Sequence, residues 1–125
     1  MSAITIAYGL PFVEITLFAN NQNLTLNNVL LDTGSAASVF KIDDLNLMGV
    51  TLQPTDQIQF MSGIGGREAI VEKTIDGIQL GNLVIRPFPI QIGILAYGFS
   101  INGILGVDFL FRAGAKIDFG QLQVR

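Results

Sequence analysis

The chain of 125 residues contains no cysteine and no histidine. Without cysteine it has neither a disulfide framework nor a thiol nucleophile. Without histidine, the common zinc sites, the Ser-His-Asp triad and the Cys-His pair are excluded as well. We therefore expect no metal and no cofactor, and the chemistry that remains available is that of carboxylates.

Charge is also sparse. Seven basic residues against ten acidic ones give a net charge of −3, and no basic run occurs. A surface that follows nucleic-acid phosphates is therefore not expected. The apolar runs are interrupted every few residues, so none reaches the ~18 residues that a membrane helix needs. Residues 1–6 have neither the basic region nor the apolar core of a signal peptide, so we expect no membrane partner and a cytoplasmic location.

What is present is a succession of short β-type segments separated by turn signals, which predicts a single all-β domain over residues 1–125. Residues 12–18 are rich in β-forming side chains and lead through the polar turn at 20–23 into residues 24–26. Another short strand covers residues 38–42. The pair Asp43-Asp44 is predicted to cap a short helix rather than to bind a metal.

The second half continues the pattern. Residues 57–76 predict a long hairpin with a glycine-rich tip, and the two prolines at 87 and 89 predict an edge strand or a bend. An apolar strand then passes through Gly106 into one short helix over residues 107–112. A final hairpin turns about Gly120.

One segment combines a carboxylate with hydroxyls and a glycine at the end of a strand. Asp32-Thr33-Gly34-Ser35 follows the apolar run Val29-Leu30-Leu31. A carboxylate held at a strand end by its own loop is the minimum equipment of an aspartic peptidase site. A second apolar strand, Ile104-Leu105-Gly106, also ends at a glycine and suggests two similar halves.

Together with Ser38 and the segment Gly106-Val107-Asp108-Phe109-Leu110, these motifs resemble the retropepsin-like aspartic peptidases. The resemblance implies a closed β-barrel of the acid protease type with one or two short helices. It also implies that Asp32 is catalytic and faces a second such aspartate across a water molecule. Carboxylates that close cannot both ionise, so the pair shares a proton.

The resemblance implies roles for the neighbouring loop residues too. Thr33 would tie two active-site loops together through its hydroxyl. Gly34 would let the loop approach Asp32 closely enough for its backbone N–H to donate a hydrogen bond. Ser35 would donate to the outer carboxylate oxygen and so favour a more acidic working range.

The glycine-tipped hairpin would be the flap that closes over an extended peptide or protein substrate. Its candidate substrate-binding residues are Gly63, Ile64, Gly65 and Gly66. Four isoleucines fit either a substrate pocket or the core by pattern alone: Ile64, Ile90, Ile92 and Ile104.

The Asp-Thr-Gly motif occurs once, so a mechanism with two carboxylates needs a second copy of the chain. A twofold homodimer with Asp32 near the axis supplies it, with the terminal segments 4–8 and 121–124 as candidate contacts. The retroviral members carry an ion pair at positions that are Ala36 and Val107 here. Their interface cannot therefore be assumed.

Three functions remain open on the sequence alone. The first is a homodimeric endopeptidase that cuts within extended, mostly apolar segments. The second is a catalytically inactive module of the same fold that binds peptides or serves assembly, with Asp32 as a remnant. The third is an unrelated small β-barrel that carries the motif by chance.

Overall fold

The computed structural model describes residues 1–63, 66–95 and 100–125. These residues form an all-β architecture with two short helices, as the sequence predicts. The helices are α1 (Ile42–Asn46) and α2 (Val107–Ala113). The strands are β1 (Ser2–Ala3), β2 (Thr5–Ala7), β3 (Leu10–Ala19), β4 (Gln22–Leu31), β5 (Val39–Phe40), β6 (Ile58–Gly63), β7 (Gly66–Ile75), β8 (Gly77–Leu80), β9 (Leu83–Ile85), β10 (Phe88–Ile92), β11 (Gly103–Leu105), β12 (Ile117–Asp118) and β13 (Gln123–Val124).

Most strands belong to one large sheet in the order β6-β7-β10-β5-β11-β4-β3-β8-β9, with β2 paired to β3. This sheet curls into a half-barrel. Its two end strands, β6 and β9, are not paired with each other in the described part of the chain. The predicted closure of the barrel is therefore not confirmed.

The β3–β4 hairpin begins the scaffold of the Asp32 loop. Its turn residues Asn20 and Asn21 have φ angles of 52° and 60°, a left-handed conformation that asparagine tolerates better than most residues. The predicted turn and hairpin are thus confirmed, and both strands are longer than the sequence pattern indicated.

The register of this hairpin shifts once. Val13 pairs with Val29 and Ile15 pairs with Leu26, so Glu14 alone lies opposite the two residues Asn27 and Asn28. This is a β-bulge in β4, and Asn28 within it has a φ of 52°.

The main core lies on one face of the large sheet, which we call the first face. It contains alternate residues of the central strands together with Phe109 and Leu110 of α2. A smaller apolar cluster, formed by Phe12, Leu30, Ile101 and Ile104, packs separately. Because side chains alternate along a strand, Leu30 lies on the opposite face from Val29 and Leu31, which we call the second face.

Two local predictions were wrong in detail. The acidic pair does not cap α1: its N-cap is Lys41, no side chain makes a capping bond there, and Asp43 and Asp44 lie inside the first turn. The helix begins earlier than the pattern indicated, and carboxylates in a first turn still interact favourably with the helix dipole. Strand β10 is also not an edge strand, because it lies between β7 and β5. Pro89 is tolerated there because β5 pairs only with Gln91 and Ile92.

The chain ends meet in a separate three-stranded sheet. Strand β13 pairs with β1 on one side and with β12 on the other. The predicted hairpin about Gly120 is confirmed by the antiparallel pairing of β12 with β13. No helix among the described residues is long and apolar enough to cross a membrane.

Candidate active site

The site is built where one strand passes beneath the loop that joins two others. Strand β11 lies between β4 and β5, parallel to β4 and antiparallel to β5. The loop from Asp32 to Ser38 therefore crosses the end of β11. Two backbone bonds join the layers: Asp32 N–H donates to the Leu105 carbonyl at 3.0 Å, and Val107 N–H donates to the Ser35 carbonyl at 2.9 Å.

This crossing requires a glycine at the end of β11. A Cβ atom on Gly106 would lie 2.6 Å from the Ala37 carbonyl oxygen and 2.7 Å from that of Ser35. Real Cβ atoms do not approach backbone oxygens so closely. The glycine that the sequence marked as the end of an apolar strand is thus the residue that lets the two layers touch.

The Asp32 carboxylate is held by its own loop. Gly34 N–H donates to Asp32 Oδ1 at 2.9 Å, as the resemblance implied. Ser35 N–H donates to the Asp32 carbonyl at 3.2 Å and closes the turn. Leu31 belongs to the main core, so the alternation of side chains directs Asp32 to the second face, beside Leu30.

The other loop residues differ from what the resemblance implied. The Ser35 hydroxyl donates to the Ala37 carbonyl at 2.7 Å, not to Asp32. A hydroxyl has one proton to donate, so the expected support for a more acidic working range is not present in this chain. Thr33 is exposed, and any tie to a second loop would require a second chain.

A side-chain pair that the sequence reasoning missed locks the loop to α2. The Ser38 hydroxyl donates to Asp108 Oδ1 at 2.8 Å, and Ser38 N–H donates to Asp108 Oδ2 at 3.0 Å. The same hydroxyl accepts a bond from Gly106 N–H at 3.0 Å. Asp108, which had been interpreted only as the start of a helix, therefore binds the far end of the Asp32 loop. Both residues stand in the quoted motifs, but no local signal pairs them.

An apolar row lies on the second face beside Asp32. It is formed by Phe12, Leu30, Ile104 and Val39, which are consecutive cross-strand partners on β3, β4, β11 and β5. Of the four isoleucines left open by the sequence, Ile104 belongs to this row. Ile90 and Ile92 are part of the main core, and Ile64 lies outside the described residues.

The glycine-tipped hairpin is present as β6 and β7, with Gly63 paired to Gly66. Its tip residues Ile64 and Gly65 lie outside the described residues. Farther down, the Lys73 ammonium lies 3.0 Å from Asp56. The pKa of Asp56 is lowered chiefly by the hydrogen bond from the Gln53 backbone N–H and further by Lys73. Among the described residues no group of three or more potential ligands could hold a metal ion.

Comparison with known proteins agrees with this geometry. A sequence profile of a family described as aspartyl protease matches residues 13–109. The chain belongs to the aspartyl protease family. The match spans the Asp32 loop, the hairpin and Asp108, so the retropepsin-like resemblance of the motifs is confirmed.

A solved structure shows the fold of this aspartyl protease family member at full length. The retropepsin-like aspartic protease from Rickettsia conorii matches with a TM-score of 0.69 at 17% identity. The match covers 100% of this chain and 97% of that chain. The two proteins therefore share a fold despite few common residues.

Proposed function

We propose that this chain is an aspartic endopeptidase that acts as a homodimer, with one Asp32 from each copy. The observation that carries the proposal is the Asp32 carboxylate, held at 2.9 Å by Gly34 N–H at the end of a strand that crosses β11. Membership in the aspartyl protease family supports the same reaction class.

In the proposed mechanism, two Asp32 carboxylates face each other across a water molecule. Their mutual repulsion keeps one protonated. The ionised carboxylate removes a proton from the water as it attacks the peptide carbonyl carbon, and the protonated one donates to the carbonyl oxygen. Collapse of the tetrahedral species then releases the amine with a proton from the pair. Thr33, Gly34 and Ser35 shape the loop that holds each carboxylate.

The proposed substrate is an extended peptide with apolar side chains next to the cut bond. The apolar row of Phe12, Leu30, Ile104 and Val39 lies on the same face as Asp32 and supports this choice. We assign the β6–β7 hairpin as the flap, with backbone groups of Gly63, Ile64, Gly65 and Gly66 binding the peptide main chain.

The proposed dimer differs from the terminal exchange expected from the sequence. Strand β13 already has neighbours on both sides in its own chain, and β2 is paired with β3. Within the described residues, β12 is an edge of the three-stranded sheet, and Phe119 beside it is 59% exposed. We propose that β12 meets the same strand of the second copy across the twofold axis.

Cleavage of a mixed peptide library over a range of pH, with the new ends identified by mass spectrometry, tests the function. Asp32→Asn should abolish cleavage, because asparagine still accepts the Gly34 bond but cannot act as acid or base. Asp76→Asn makes the same chemical change at the β7–β8 junction and should cleave normally. Light scattering and circular dichroism should be unchanged in both variants. No cleavage by the wild-type protein, with peptide binding retained, would favour the inactive module instead.

A further inference from the structure

The bulge in β4 determines which face of the sheet Asp32 lies on. Leu26 before the bulge and Leu31 after it both point into the main core, although they are separated by an odd number of positions. Strict alternation from Leu26 would direct Asp32 toward that core. The extra residue shifts the alternation by one, so Asp32 lies on the second face while the strand keeps its apolar contacts.

Asn102 holds this bulge. Its side-chain amide donates to the Asn27 carbonyl at 2.8 Å and to Asn27 Oδ1 at 3.1 Å. Its backbone N–H donates to the Asn28 carbonyl at 2.9 Å. The backbone of an extra residue has no place in the regular ladder, and Asn102 provides partners for the carbonyls of both bulge residues.

The same residue connects the bulge to β11. Asn102 directly precedes that strand, whose Gly103 pairs with Val29 and whose Leu105 pairs with Leu31. The contact with the bulge therefore sets the register that brings the Leu105 carbonyl to Asp32 N–H. Lys41 Nζ lies 3.5 Å from Asn102 Oδ1, which favours the amide orientation that directs the nitrogen toward Asn27.

We propose that Asn102 is a positioning residue for Asp32. It holds the bulge at Asn27 and Asn28, and with it the register and the face on which the carboxylate is presented. The inference rests on the proposed function, because it concerns the position of a catalytic Asp32. Without the bonds from Asn102 the bulge can move along β4, and a misplacement of about 1 Å in an active site can cost about 100-fold in rate.

The test is Asn102→Asp, which keeps the shape of the side chain but removes both amide donors. Asn20→Asp is a matched control, because Asn20 also donates its amide to a backbone carbonyl, that of Met48 at 2.9 Å. Steady-state kinetics on one peptide substrate, the thermal midpoint and the amide resonance of Gly34 are measured for both variants. The Gly34 resonance reports the hydrogen bond to Asp32 independently of activity.

We expect Asn102→Asp to lower kcat by about 10- to 100-fold and to move the Gly34 resonance, with KM within about twofold of the wild type. Asn20→Asp should lower the thermal midpoint but leave kcat and Gly34 unchanged. An equal effect of the two variants on kcat, or an unmoved Gly34 resonance in Asn102→Asp, overturns the proposal. If the wild-type protein cleaves nothing, the proposed function fails, and the Gly34 resonance still decides the positioning role.

A second pair of variants keeps the test decisive if Asn102→Asp does not fold. Asn28→Val places a β-branched side chain at φ 52°, and Asn21→Val does so at φ 60° in the hairpin turn. Both lose a similar amount of backbone stability, but only the first disturbs the bulge. A larger loss of kcat and a shifted Gly34 resonance in Asn28→Val alone supports the proposal, and equal effects contradict it.

Discussion

Ser38 gives both its backbone N–H and its hydroxyl to the carboxylate of Asp108, at 3.0 Å and 2.8 Å, from a position 70 residues away in the chain. Ser38 is completely buried, so each donor would lack a partner if the carboxylate were removed. The pair joins the end of the Asp32 loop to the first turn of α2. The loop is thereby held within one chain, in a protein with Ala36 and Val107 at the positions of the retroviral ion pair.

We expect Asp108→Asn to destabilise the folded chain by about 1–3 kcal/mol, because asparagine offers one acceptor and turns an amide donor toward a Ser38 donor. Chemical denaturation measures the change. Asp43→Asn, at an exposed position in α1, is the control and should be nearly neutral. In a double-mutant cycle of Asp108→Ala with Ser38→Ala the losses should not be additive, and strict additivity would argue against the pair.

Gly106→Ala should prevent formation of the crossing beneath the Asp32 loop. Its Cβ would lie 2.6–2.7 Å from two backbone oxygens, and backbone cannot move aside as a flexible side chain can. We expect a loss of at least about 2 kcal/mol or no soluble folded protein. Gly120→Ala meets only a side-chain oxygen of Asp118 at 3.3 Å and should be tolerated. A normal thermal midpoint for Gly106→Ala would contradict this packing.

The bond from the Ser35 hydroxyl to the Ala37 carbonyl, at 2.7 Å, leads to an expectation about pH. Since this hydroxyl does not donate to Asp32, Ser35→Ala should leave the acidic limb of the pH–rate profile within about half a pH unit of the wild type. The measurement is kcat/KM across the acidic range. A clear displacement of the limb toward higher pH would mean that Ser35 turns to Asp32 in the working enzyme.

Asp56 should make stability depend on pH. Because the Gln53 N–H and Lys73 lower its pKa below the ordinary value of 3.8, its ionised form is favoured in the folded state. That contribution is present in full above the unfolded pKa and is lost as pH falls through the lower folded pKa. The thermal midpoint of the wild type should therefore exceed that of Asp56→Asn near neutral pH, and the difference should shrink below about pH 4. A constant difference down to strongly acidic pH would contradict this.

Phe119→Asp should weaken the proposed dimer without unfolding the chain. Phe119 is largely exposed beside the edge strand β12, so a folded monomer tolerates the change, whereas two copies of the carboxylate would repel each other across a twofold axis. We expect the dissociation constant to rise by at least about tenfold, measured by analytical ultracentrifugation, and cleavage to fall in parallel at low concentration. Phe111→Asp, on the exposed side of α2, is the control. Equal association of both variants would place the interface elsewhere.

Much of the fold was predictable from residues close together in the chain. Asparagine at the β3–β4 turn, glycine at the end of the apolar strand before α2 and the hairpin about Gly120 each act through their own backbone preferences. The bond from Gly34 to Asp32 spans two residues, and its motif indicated it. The capping role of Asp43 and Asp44 was wrong because a shift of one or two residues at a helix start is beyond what a local pattern resolves.

The sequence by itself determined the chemistry: with no cysteine or histidine, and with one Asp-Thr-Gly after an apolar strand, only a carboxylate site could form. Tertiary structure alone decided how that carboxylate is presented. The bulge at Asn27 and Asn28, its bonds to Asn102 and the pairing of Ser38 with Asp108 join segments about 70 residues apart. Turn and motif chemistry follows from neighbours in the chain, whereas the register and the face of a strand depend on which distant strand it pairs with.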